Sequence, residues 1–164
     1  MVQVRVAGIA LDEAGQHVLL LKPVEDLPGA GRMLPIWIGS LEATSILIAI
    51  EGAETPRPLA HDLIRSILDA ADSRLERVEV TRIDDGTFYA ELTLMTPAGE
   101  RIVDARPSDA VAMAARTTAP LWVADEVMEE AGVPDLIADE AEAEQSLDEF
   151  KKFLNEVDPD DFRG

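Results

Sequence analysis

Apolar and polar residues alternate along the first stretch of the chain, with Val2, Val4 and Val6 set against Gln3 and Arg5. That period of two predicts a half-buried strand that continues through Ile9 and Leu11. Asp12-Glu13-Ala14-Gly15-Gln16 reads as a turn, and His17–Lys22 as the returning strand of a hairpin. After a loop rich in Pro and Gly, Met33–Ile38 is a short apolar strand, and Pro35 places it at an edge or a strand start. Ser40 is the expected N-cap of a helix over about 41–51 with Gly52 behind it. The second half of that helix is apolar on nearly every side, which predicts burial. Thr55-Pro56-Arg57-Pro58 is a stiff connector to a helix over about 59–71. There Leu63, Ile64, Ile67, Leu68 and Ala71 form one stripe.

From 75 to 106 the period returns to two, with Asp85-Gly86 and Pro97-Ala98-Gly99 as turns, predicting a three-stranded meander. A helix over about 109–116, a short strand at 120–123 and a short helix over 125–131 complete the pattern. Strands precede, interrupt and follow helices. The expected class is α+β: a mixed or antiparallel sheet with an N-terminal hairpin, a three-stranded meander and several packed helices. Residues 1–134 are read as the domain. Residues 135–164 are read as an acidic linker and an amphipathic terminal helix carrying Leu147, Phe150, Phe153 and Leu154. Docking of that helix on its own domain is the simpler expectation, and a protein partner the other.

Composition narrows the chemistry. With 164 residues and no cysteine, the chain can bury a core, and disulfides, thiolate nucleophiles and cysteine-bound zinc are excluded. No signal-peptide profile and no span of about 20 apolar residues is visible, so a cytoplasmic location without membrane insertion is expected. The net charge is -19, and acids outnumber bases by eight within 133–164 and by eleven before it. A duplex-binding protein displaces counterions with a basic patch, and none is dense here, so nucleic-acid binding is disfavoured by net charge.

Three groups could carry chemistry. Glu42 lies in the first turn of a helix, where the dipole favours an acid, and could equally be aimed into a pocket. Glu51, Arg57, His61 and Asp62 surround a proline loop. They offer an imidazole and carboxylates for general-base or metal work, or simply local pairs between Arg57 and Glu51 and between Asp62 and Arg65. Asp104-Ala105-Arg106-Pro107-Ser108-Asp109 joins a strand to a helix. It could hold an anion at the helix N-terminus, hold a divalent ion, or brace strand to helix. A Ser45-His61-Asp62 triad can be drawn, but a chain of this length offers many such triples, and it is set aside.

Leu34-Pro35-Ile36-Trp37-Ile38-Gly39 with Glu42-Ala43, Glu51-Gly52, Pro56-Arg57-Pro58 and His61-Asp62-Leu63 form an ordered series. So do Gly86-Thr87-Phe88-Tyr89-Ala90, Asp104–Ala110 and Ala119-Pro120. Together they resemble the bifunctional nuclease domain family of bacteria over about 33–125. The resemblance implies an α+β domain that self-associates as a homodimer and a nuclease activity on DNA and RNA. On that reading His61, Glu42 and Asp62 are catalytic and Arg57 and Arg106 bind substrate. Asp104, Asp109 and Glu51 hold Mg²⁺ or Mn²⁺. The competing expectation is a non-catalytic protein-binding or regulatory module with an acidic surface.

Overall fold

The computed structural model of the chain describes residues 1–135, 152 and 154–156. Strands β1 (Val2–Leu11), β2 (His17–Pro23) and β3 (Arg32–Ile38) precede helices α1 (Ser40–Glu51) and α2 (Ala60–Ala70). The meander is β4 (Arg74–Asp84), β5 (Thr87–Thr96) and β6 (Gly99–Ala105). Helix α3 (Pro107–Thr117), β7 (Leu121–Val123), α4 (Asp125–Ala131) and β8 (Val133–Pro134) follow. All eight strands join one sheet in the order β6-β5-β4-β7-β1-β2-β3-β8. Only the β4–β7 pair is parallel, so the sheet is mixed and the class is α+β.

Two cores explain the apolar runs that lack alternation. Leu19 and Leu21 of β2, with Leu34 and Ile36 of β3, face the main core beneath α1, α3 and α4. Their neighbours Val18, Leu20, Met33 and Trp37 face a second cluster on the other side of the sheet, where Leu154 is 1% exposed. A strand covered on both faces needs no polar side, which is why 18–22 and 33–38 are apolar at nearly every position. Leu154 is part of that second cluster. The acidic stretch 139–144 and Leu147, Phe150 and Phe153 lie outside the described residues.

Pro35 is tolerated because, among the described residues, β8 pairs with β3 at Arg32 and Met33 and not at 35. Helix α3 is lined with small residues, Ala110, Ala112 and Ala114, all buried, so α1 and α2 both approach it closely. Pro107 sits at its first position with Arg106 as N-cap.

Two local expectations are corrected. The N-cap of α1 is Gly39 and not Ser40. The carboxylate of Glu42 folds back over Gly39 and fills the space a Cβ there would need. On α1, Leu41, Leu47 and Ile50 are exposed, so its apolar second half is only partly buried. Of the stripe on α2, Leu63, Ile64 and Ile67 are exposed and Leu68 packs against the main core, while the buried residue of that helix is His61. Polar bonds at its first turn help to hold α2 in place. No helix among the described residues is long and apolar enough to cross a membrane.

Candidate functional site

Five elements meet around a cavity of about 680 Å³: α1, the start of α2, strands β5 and β6, and α3. Its walls are mostly apolar, from Leu41, Ile48, Ile64, Leu92, Val103 and Met113. Its polar groups are Glu42, Thr44, Ser45, His61, Asp104, Arg106 and Asp109. Polar residues up to 67 positions apart in sequence, Glu42 and Asp109 at the extremes, therefore share one cleft.

A continuous chain of hydrogen bonds runs through the site. Arg106 donates from Nη2 to Glu42 Oε1 at 3.0 Å and from Nε to Asp109 Oδ2 at 3.0 Å. The other oxygen of Asp109 lies 2.9 Å from His61 Nε2, and His61 Nδ1 lies 2.7 Å from Ser45 Oγ. Arg116 then donates from Nη2 to Ser45 Oγ at 2.9 Å, from Nε to Asp62 Oδ1 at 2.8 Å and from Nη1 to the Ala112 carbonyl at 3.1 Å. Asp62 closes the chain by accepting the Leu59 N–H at 2.9 Å, which satisfies an orphan donor at the start of α2.

The bonds fix the histidine tautomer. A guanidinium only donates, so Ser45 Oγ accepts from Arg116 and has its own proton for His61 Nδ1. In the neutral ring Nε2 then carries the hydrogen and donates to the Asp109 carboxylate. The opposite tautomer would set a bare nitrogen lone pair against a carboxylate oxygen. Both ring nitrogens are thus occupied, and Nδ1 accepts the Ser45 hydroxyl proton.

Charge balance shapes two carboxyls. Burial alone would raise Asp109, but hydrogen bonds from His61 and Arg106 outweigh it and hold the group below the ordinary carboxylate range. Asp62 is held low by its bond from Arg116, with help from the Leu59 N–H, against a smaller effect of burial. The Arg106 guanidinium is raised, chiefly by Asp109. For a depressed carboxyl, the stabilisation is complete above its ordinary value near 4 and fades as pH falls through the lower folded value. Urea midpoints measured from pH 7 to pH 3 should therefore fall on the acid side. Asp62→Asn should be less stable at pH 7 and should converge on the wild type as pH drops below about 4. A constant gap across that range would refute the role given to Asp62.

Of the residues singled out from sequence, Glu42, His61, Asp104, Arg106 and Asp109 line the cleft. Asp62 does not; it faces a separate depression beside Arg65 and Arg116. Glu51 is exposed at the end of α1 and borders neither opening. Arg57 is exposed in the connector, where its carbonyl accepts the Thr55 hydroxyl at 2.7 Å, and it also lies off the cleft. The anticipated Arg57–Glu51 and Asp62–Arg65 pairs are absent among the described residues, and Asp62 pairs with Arg116 instead. Two central groups escaped the sequence reading. Ser45 enters the sequence analysis only in a triple with His61 and Asp62 of a kind that many chains offer; the structure sets Asp109, and not Asp62, on the other ring nitrogen of His61. Arg116 was unremarked, although an arginine directly after the uncharged, alanine-rich run 110–115 is the kind of signal that could have found it.

Among the described residues, no group of three His, Asp or Glu side chains is disposed to hold a metal ion. Arg106 stands between Glu42 and Asp109, the place where a cation between those carboxylates would sit.

The model of the bifunctional nuclease domain matches residues 19–135, from β2 to the residue after β8. The chain is 41% identical to an uncharacterized protein of Mycobacterium tuberculosis across 99% of both chains. It is 25% identical to bifunctional nuclease 1 of Oryza sativa subsp. indica over 85% of this chain and 42% of that one. It is 27% identical to bifunctional nuclease 1 of Arabidopsis thaliana over 71% of this chain and 36% of that one. The chain therefore spans about two fifths of the length of these plant relatives. All the polar groups of the cleft fall inside the matched span, and this chain belongs to the bifunctional nuclease domain family.

Proposed function

We propose that the cleft is the active site of a nuclease that hydrolyses phosphodiesters of single-stranded DNA and RNA. The observation that carries this reading is the convergence of Glu42, His61, Asp104, Arg106 and Asp109 on one cavity. Family membership and the names of the plant relatives support it. Arg106 is the group placed to meet a phosphate. Its side chain is 59% exposed and it already binds two carboxylates through separate nitrogens. A phosphate oxygen competing for that guanidinium gains a charge-assisted bond, which a neutral substrate does not.

The acidic surface weighs against tracking along a duplex, so recognition is local and strands enter the cleft unpaired. Mg²⁺ or Mn²⁺ is the proposed cofactor on sequence grounds. The resting arrangement does not fit it, because Arg106 already neutralises two of the carboxylates it would need. Charge neutralisation at the phosphate accordingly falls to Arg106.

The test is cleavage of end-labelled single-stranded DNA and RNA oligonucleotides with Mg²⁺, with Mn²⁺ and with a chelator. Arg106→Ala should lower the cleavage rate by about a hundredfold, the usual loss when a donor to developing charge is removed. Rates equal to wild type in both Arg106→Ala and His61→Ala would assign the cleavage to a contaminant and end the proposal.

A second reading, a protein-binding module, draws on the apolar residues of α2 that face outward. Leu63, Ile64 and Ile67 form the kind of stripe that self-association as a dimer would cover, and a cytoplasmic setting is proposed with it.

A further inference from the structure

Three acids, Glu42, Asp104 and Asp109, share the cleft with one arginine, and most of the wall is hydrocarbon. An anionic substrate must be brought against that surplus of negative charge. An uncharged one with an apolar body meets no such opposition. The cleft also contains a hydroxyl bonded to an imidazole that is backed by a carboxylate. Its oxygen is bonded to a guanidinium at 2.9 Å.

We infer that Ser45 is the nucleophile of a second hydrolytic activity, cleavage of uncharged carboxylic esters with apolar acyl chains, with His61 as its base and Asp109 as the carboxylate behind it. The connectivity is the one nucleophilic serines require, in the order serine, imidazole, acid. The two ring nitrogens exchange their customary partners, which leaves the proton transfers unchanged. This inference rests on the geometry of the cleft and not on phosphodiester cleavage.

The steps follow from the bonds present. Ser45 Oγ attacks the ester carbonyl carbon and forms a C–O bond while its proton passes to His61 Nδ1. The Asp109 carboxylate, accepting from Nε2–H, offsets the charge of the imidazolium. Arg116 Nη2, donating to Ser45 Oγ at 2.9 Å, holds the hydroxyl in line with His61 Nδ1. Collapse breaks the bond to the alkoxy oxygen, which takes the proton from Nδ1 and leaves as an alcohol. Water then attacks the acyl-serine, gives its proton to Nδ1, and the carboxylic acid departs as Ser45 recovers its hydrogen. Leu41, Ile48 and Ile64 border the cavity near Ser45 and His61 along α1 and α2, where the acyl chain would lie.

The experiment measures p-nitrophenyl butyrate hydrolysis in the presence of a chelator, together with labelling by an alkyl fluorophosphonate. That reagent transfers phosphorus to an activated serine and releases fluoride. The expected results are saturable p-nitrophenol release, a loss of about a hundredfold or more in Ser45→Ala, and a phosphonyl adduct on the peptide containing Ser45. Labelling of the wild-type chain is decisive even if Ser45→Ala fails to fold. An adduct on another residue, no adduct, or unchanged turnover in a folded Ser45→Ala protein would overturn the inference. Oligonucleotide cleavage in the same preparations reports the phosphodiesterase reading separately, so either can fail alone.

Discussion

Asp135→Ala should destabilise the fold by about 3–5 kcal/mol, the usual result of removing one partner of a buried ion pair. Asp135 and Lys22 form such a pair, and each side chain is only 2% exposed. Lys22 Nζ also donates to the carbonyls of Leu27 at 2.6 Å and Ala30 at 3.1 Å. Asp135 further accepts the Gly29 N–H at 3.0 Å. The pair therefore gathers three segments: the end of β2, the loop 24–31 and the chain just past β8. Without the carboxylate, an ammonium remains buried with two carbonyls for company. Urea unfolding at pH 7 measures the loss. Lys22→Met together with Asp135→Leu should recover most of it, because no unpaired charge remains and an apolar pair of similar volume can be stable there. A single-variant loss below about 1 kcal/mol would show that water reaches the site.

Arg116→Met should cost about 3 kcal/mol and should also release the histidine. The Arg116 side chain is 4% exposed and joins Asp62, Ser45 and its own helix. Losing it removes a charge-assisted bond to a carboxylate and leaves the Ser45 oxygen short of a donor. The cost is at the lower end of the range for broken buried pairs because the Asp62 side chain, 35% exposed, can rehydrate. Arg116→Lys should recover less than half, since an ammonium cannot reproduce the planar fork that reaches three acceptors. Denaturant unfolding gives the stability. Nitrogen-15 spectra of His61 give the tautomer, which should be Nε2–H in the wild type and mixed in Arg116→Met. A wild-type ring protonated on Nδ1 alone would contradict the bond assignment.

Much of the architecture follows from local physics. The alternations in β1, β4 and β5, the Asp-Gly turn and the proline connector each act over a few residues, and the elements appear where those patterns put them. The strand-to-helix junction at Asp104–Asp109 is equally local, and so is the presence of His61 beside a proline loop. These positions drew attention as candidates because their residue types are chemically capable.

Which of them act together was decided in three dimensions. Periodicity shows that α2 has an apolar stripe, but not on which side of the helix the core lies; Leu63, Ile64 and Ile67 face out and His61 faces in. Asp62 sits next to His61 in the chain, yet adjacent positions on a helix diverge by about 100°, so it faces Arg116 while Asp109 meets the imidazole. Composition and local pattern determined an acidic α+β chain with capable side chains. Only packing of α1, α2 and β6 around the small-residue helix α3 joined Glu42, Arg106, Asp109, His61, Ser45, Arg116 and Asp62 into one relay. Hydrogen bonds depend on distance and direction in space, and spacing along the chain encodes neither.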